Sequence, residues 1–229
     1  MKLLRAKLLN RLGNHLQPRR ERGQSMVEMA LALPILLLIL AGAVEVGMYF
    51  NTYLTLVDAT REAARYSANG SPVFGSADNS CTTTEDFFKK AACLVMQNLP
   101  GVTFDPVRDD IVVSVILIRQ GQIYARYINP ALNTGEQGWS RCESLPVPGD
   151  AGCVRATSRF PNSVIKARLD QFPGAATAPK SAYVLVELYH VHHQFLGLIP
   201  PGLTFLPQEA VMHAYSIMPV PAIAAAIPD

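Results

Sequence analysis

The chain has 229 residues, of which 49% are hydrophobic and 17% charged, enough for one core of ordinary size with apolar residues to spare. Its formal net charge is only +2 at pH 7, and its N-terminal arm is strongly basic. An uncharged apolar run stands next to that arm, which argues against a nucleic-acid patch and for a topology signal.

Residues 29–44 (MALALPILLLILAGAV) contain no charge, and the uncharged character resumes after Glu45 as far as Val57. A helix over residues 27–49 is about 33 Å long at 1.5 Å per residue, enough to cross a hydrocarbon layer of about 30 Å. Lys2, Arg5, Lys7, Arg11, Arg19, Arg20 and Arg22 precede this run against one acid, Glu21, leaving 13 basic and 17 acidic residues for the rest of the chain. The positive-inside rule therefore keeps the arm in the cytoplasm and sends the chain beyond residue 50 outside. Tyr49, Phe50 and Tyr53 cluster where an interfacial aromatic belt belongs.

Past the bilayer the helical period continues. Tyr49, Tyr53, Leu56, Val57, Thr60 and Ala64 share one stripe, and Asn51, Asp58, Arg61, Glu62 and Arg65 take the other. The helix should stop near Asn69-Gly70-Ser71-Pro72. After a linker of small polar residues, a second helix is expected over 84–98, with Glu85 and Asp86 in its first turn and Pro100-Gly101 past its end. Residues 111–119 (IVVSVILIR) and 122–128 read as two strands of a hairpin with Gly121 at the turn. Residues 129–160, rich in Gly, Pro, Asn and Ser, read as a long surface loop. A short helix over 162–172 comes next, capped by Asn162 or Ser163 and ended by Pro173-Gly174. Strands at 181–194 and 208–218 complete the domain, with a flexible tail after them.

The class is α+β: a long N-terminal transmembrane and amphipathic helix, then an antiparallel sheet of about four strands with two short helices. The expected divisions are a basic cytoplasmic leader (1–23), the transmembrane and extended helix (24–69), an extracytoplasmic domain (70–218) and the tail (219–229).

Cys81, Cys93, Cys142 and Cys153 all fall on the outer side, where an oxidising compartment lets them pair, and none forms a CxxC. Three connectivities are open, and the preferred one joins Cys142 with Cys153, closing a Gly/Pro-rich loop, and Cys81 with Cys93. If a helix starts near Thr84, Cys93 lies about 13 Å along its axis, so Cys81 must fold back beside it.

At the inner edge of the span, basic residues precede Gly23, and Glu28 is the fifth residue after that glycine. This arrangement resembles the cleavage site of type IV prepilins. The wider string over residues 22–68 resembles the TadE-like pseudopilins of the tight-adherence (Tad/Flp) pilus system. Arg22-Gly23-Gln24, Val27-Glu28, Leu33-Pro34, Glu45 with Gly47, and Ala59 through Tyr66 carry the likeness. The resemblance implies a pilin-like, non-enzymatic minor subunit of the bacterial inner membrane, cut between Gly23 and Gln24 by a prepilin peptidase. Its implied partners are other pilins and pseudopilins, the inner-membrane assembly platform and membrane lipid, with no nucleic acid and no cofactor.

Glu28 has a physical reading of its own. A carboxylate at the bilayer centre costs about 2.5–3.5 kcal/mol and needs a partner there. Cleavage after Gly23 would make one, because the new α-amine on Gln24 stands four residues away, one helical turn. The first turn of the helix also favours a negative charge. Pro34 removes one backbone hydrogen bond inside the span and is the expected kink. Gly42 and Gly47 are five apart, so no GxxxG face is implied.

Two other readings compete. Ala41-Gly42-Ala43 offers an A-x-A signal-peptidase site, which would release a secreted protein from Val44, and an anchored binding module without a pilus has the same topology. For enzymatic chemistry the weak candidates are His190, His192 and His213, an H-x-H pair on one strand with a third histidine on a neighbour, in the manner of a three-ligand zinc site.

Overall fold

A 48-residue helix, α1 (Glu21–Ala68), opens the described chain and carries Pro34 inside it. The computed structural model describes residues 21–69, 81, 86–127, 138–144, 152–171, 177, 179–196 and 209–221. The leader to residue 20, the linker at 70–80, Thr84, Glu85, Ile128, Pro173-Gly174 and the tail beyond Pro221 lie outside them. Two compact units divide the chain, Met1–Gly47 and Met48–Asp229, so the boundary falls inside α1 rather than at its end.

In the second unit, Leu56, Ala59, Thr60, Ala63, Ala64 and Ser67 of α1 are buried, repeating at three and four residues as one helical face requires. Most of these side chains are small. Tyr49 and Tyr53, expected on the same stripe, keep 38% and 37% of their surface exposed. They extend the face toward the N-terminal end of α1 without entering the core.

α2 (Phe87–Gln97) starts later than residue 84. Asp86, expected within the first turn, is its N-cap: one carboxylate oxygen accepts the backbone N–H groups of Phe88 and Lys89 at 3.0 and 3.1 Å. Cys93, at the middle of α2, is bonded to Cys81, their Cα atoms 5.3 Å apart.

Among the described residues the sheet has five strands. β1 (Asp110–Arg119) and β2 (Gln122–Tyr127) form a hairpin whose loop residues, Gln120 and Gly121, both have positive φ (51° and 72°), as a two-residue type I′ turn demands. β4 (Ser181–His193) and β5 (Glu209–Pro219) complete the order β2-β1-β4-β5, every neighbouring pair antiparallel. The region expected as a plain surface loop holds two short elements, β3 (Trp139–Ser140), which pairs with β1, and α3 (Arg141–Ser144). Cys142 in α3 is bonded to Cys153. α4 (Asn162–Leu169) is shorter than expected, and Pro161 occupies its cap position with no side-chain cap bond, so neither Asn162 nor Ser163 serves as the cap.

β1 is buried along nearly its whole length because both faces of the sheet are covered. On one face Val113, Val184, Val186 and Leu188 pack with α1, α2 and Trp139, which stacks on Phe88 at 6.0 Å. On the other, Ile116, Ile118 and Leu185 meet Phe160 and the α4 residues Ile165 and Leu169. Pro219 and Val220, expected in a loose tail, belong to the sheet: Pro219 pairs with Tyr183, and the buried Val220 donates its N–H to Ala182 O at 2.8 Å.

Candidate membrane-anchor and assembly site

The described residues of the first unit all lie in α1. Met26, Leu31, Leu36 and Leu38 are 63–77% exposed, and an 18-residue window within Gly23–Ala68 reaches a mean hydropathy of 2.4 with none of it buried. Among the described residues this is the one helix long and apolar enough to cross a membrane. So much exposed apolar surface is unstable in water and is compatible with a single-pass anchor.

At the start of that helix, Gln24 Nε2 donates to Glu28 Oε1 at 3.1 Å. The bond places residues 24 and 28 on one side of the helix, with the backbone nitrogen of Gln24 one turn before the carboxylate. A Cβ placed on Gly23 would meet nothing within 4 Å, so Gly23 is open on its side of the helix. Pro34 sits between stretches of helical backbone on both sides.

The second unit places the histidines otherwise than a zinc site needs. His190 and His192 share the α1 side of β4, but His213 registers with Tyr189 and so projects from the opposite face. The three do not converge, and among the described residues no group of three His, Cys, Asp or Glu side chains is set to hold a metal ion. Each instead has a local contact. His190 Nδ1 lies 2.8 Å from Asp109 Oδ2, His192 meets the Tyr49 ring edge-on at 5.4 Å, and His213 Nε2 lies 3.1 Å from Glu187 Oε1.

Sequence reasoning missed the polar groups that organise the sheet. The buried Glu187 accepts from the Ser158 hydroxyl at 2.5 Å, the Arg159 N–H at 3.0 Å and the Tyr189 hydroxyl at 2.8 Å. Ser158 in turn accepts from buried Arg126 at 3.3 Å, and Arg126 also donates to Ser114 Oγ at 2.8 Å and Phe160 O at 2.8 Å. Burial raises the Glu187 pKa, but the hydrogen bonds from His213, Ser158, Tyr189 and Arg159 prevail and hold it below its ordinary value. Asp110 gathers the Ser140 hydroxyl and the N–H groups of Ile111, Cys142 and Ala156; its burial nevertheless pushes its pKa up. A lone acid inside the apolar run of β4 is the sequence signal that could have singled out Glu187. These groups tie strands and loops together and point at no open cleft.

The exposed apolar stretch of α1 thus carries Gly23, Gln24 and Glu28 near its start. The family model described as TadE-like protein matches residues 23–65. No curated protein and no solved structure matches the chain. The TadE-like segment contains the apolar span and the core residues Leu56, Ala59, Thr60, Ala63 and Ala64 of α1, and it stops at Arg65, which is ion-paired with Glu62 at 2.7 Å, short of the buried Ser67. It includes no residue of the sheet, so the likeness belongs to α1 alone. A TadE-like segment points to a protein associated with the Tad pilus, a family not known for enzymatic activity.

Proposed function

We propose that this chain is a non-enzymatic, pilin-like minor subunit that assists assembly of a Tad/Flp pilus, inserted in the bacterial inner membrane through α1 with its sheet outside the cytoplasm. The observation that carries the reading is the TadE-like match on an exposed apolar helix opening with Gly23, Gln24 and Glu28. A prepilin peptidase cuts after Gly23, and the basic leader stays in the cytoplasm. The freed amine of Gln24, or that of a neighbouring subunit, then neutralises Glu28 when the helix packs among other pilins and pseudopilins at the assembly platform. The Gln24–Glu28 hydrogen bond supports this geometry, because it already sets the two residues one turn apart. Pro34 loosens the helix within the membrane, where neighbouring helices cover the carbonyl it frees. The outer domain packs on the second half of α1 through Leu56, Ala59, Ala63 and Ala64.

The test is the intact mass of the membrane-extracted protein from cells with and without an active prepilin peptidase. A chain beginning at Gln24 only when the peptidase is present is the expected result. A chain beginning at Met1 in both strains sinks the processing step, and one beginning at Val44 replaces the anchor with a secreted domain. In the same cells, Glu28→Ala should insert normally and fail to support piliation; normal piliation would remove the carboxylate from the mechanism.

A further inference from the structure

β5 ends the sheet: β4 pairs with one edge of it, and among the described residues no strand pairs with the other. The phase of its backbone is set by Val220, whose N–H reaches Ala182 O on the β4 side. In an antiparallel pair successive residues turn their N–H and C=O groups to alternate sides. The even-numbered residues of β5 therefore bond to β4, and residues 211, 213, 215 and 217 direct theirs outward. Pro219 agrees with that phase, because the N–H it lacks would have pointed away from the sheet. The same odd-numbered residues carry their side chains on the face opposite α1, where Val211, Tyr215 and Ile217 are 61%, 48% and 46% exposed.

Sheet edges are ordinarily guarded by charge, by a bulge or by shortness. β2, at the opposite edge, is six residues long and pairs with β1 through a register shift. β5 runs for 11 residues in unbroken register with β4, and between Ala210 and Met218 it holds no Asp, Glu, Lys or Arg.

We propose that this edge is an interface that takes β5 of a second copy of the chain, antiparallel about a two-fold axis at Ala214, so that two sheets join into one. A second copy is the occupant that fits, because the edge is complementary to itself. In this register Val211 lies opposite Ile217 of the second copy and His213 opposite its Tyr215. The exposed apolar stripes then meet on one face, and the outward N–H and C=O groups make about eight hydrogen bonds. The one acid of the strand, Glu209, is paired with Arg108 of its own chain and falls opposite Pro219 of the second copy, so no like charges meet. One patch serves both copies, as in closed two-fold dimers. The surface lies wholly in the second unit and does not depend on the pilus reading.

The test uses the full chain in detergent with an oxidant added. Residues 211 and 217 of one chain are about 20 Å apart along the strand, beyond the reach of a disulfide, whereas the proposed pairing sets 211 of one copy about 5.5 Å from 217 of the other between Cα atoms. Val211→Cys and Ile217→Cys together should give a disulfide-linked dimer on a non-reducing gel, and neither alone should. Ile217→Pro removes one outward N–H from each copy and leaves the β4 pairing untouched. It should weaken the dimer about 30-fold in sedimentation equilibrium, as two lost hydrogen bonds imply, with the urea midpoint unchanged. Should that midpoint fall, Val211→Pro makes the same deletion at the other end of the edge. A monomeric wild-type chain overturns the proposal. A dimer that the proline variant leaves unweakened, or that cross-links no better in the double cysteine variant than in the single ones, is made elsewhere on the chain and overturns it too. Cross-linking by Val211→Cys alone overturns the register and with it the axis at Ala214.

Discussion

His213 Nε2 lies 3.1 Å from Glu187 Oε1 across the β4–β5 pair, on the face of the sheet opposite α1. Glu187 is fully buried, so its charge depends on these donors for the solvation that water supplies elsewhere.

That dependence gives the sheet an acid-sensitive stability. The folded pKa of Glu187 lies below the unfolded value of 4.5, so the folded chain holds fewer protons between the two. The contribution is present above about pH 4.5 and is lost as pH falls through the folded pKa. Urea midpoints of the detergent-solubilised chain between pH 3 and 7 should decline at the acid end, and Glu187→Gln should flatten that decline. Glu187→Ala at pH 7 should cost about 3–5 kcal/mol, because Ser158 and His213 then face an empty buried site.

Tyr189 governs the alkaline side. Its hydroxyl lies 2.8 Å from both Glu187 Oε1 and Thr157 O, with one proton to share between these acceptors, and burial, together with the charge and hydrogen bond of Glu187, pushes its pKa well above the ordinary value near 10. A raised folded pKa means that its contribution is intact below pH 10 and is lost as pH rises toward the folded pKa. In an ultraviolet titration of phenolate, one tyrosine should ionise late, together with unfolding, and Tyr189→Phe should remove that component.

The β1–β2 turn can be improved. Gln120 holds φ at 51°, a region in which asparagine sits more easily than glutamine. Gln120→Asn should raise stability by about 0.5–1 kcal/mol, read as a shift in the urea midpoint with an unchanged slope.

Each disulfide closes a short loop, with sequence separations of 12 and 11. Loop-closure entropy alone assigns each about 3 kcal/mol. The double variant Cys142→Ser/Cys153→Ser should lose about that amount, and a loss below 1 kcal/mol would mean that Asp110, which already binds the Cys142 and Ala156 N–H groups, holds the loop unaided.

The elements legible from sequence were those with long-range order in their own composition. The charge-free run of α1, the apolar run of β1 and the turn at Gly121 each declare themselves locally. β3 does not, because Trp139 and Ser140 are held by the Phe88 ring and the Asp110 carboxylate, groups distant in sequence. The side of the sheet on which His213 falls was equally hidden. It depends on the β4–β5 register, and a slip of one residue would have put it beside His190. The spacing of Gly23, Gln24 and Glu28 lies along one helix and needs no tertiary information. The buried groups around Glu187 were not, since Arg126, Ser158 and Glu187 come from three separate segments.

Leu56, Ala59, Ala63 and Ala64 make α1 a wall of the domain as well as its stem. Proteolytic shedding therefore has a narrow permissible window. A cut close to Met48 releases a sheet that keeps its helical cover, whereas a cut after Leu56 strips Val113, Val186 and Leu188 of that cover and delivers an aggregating fragment.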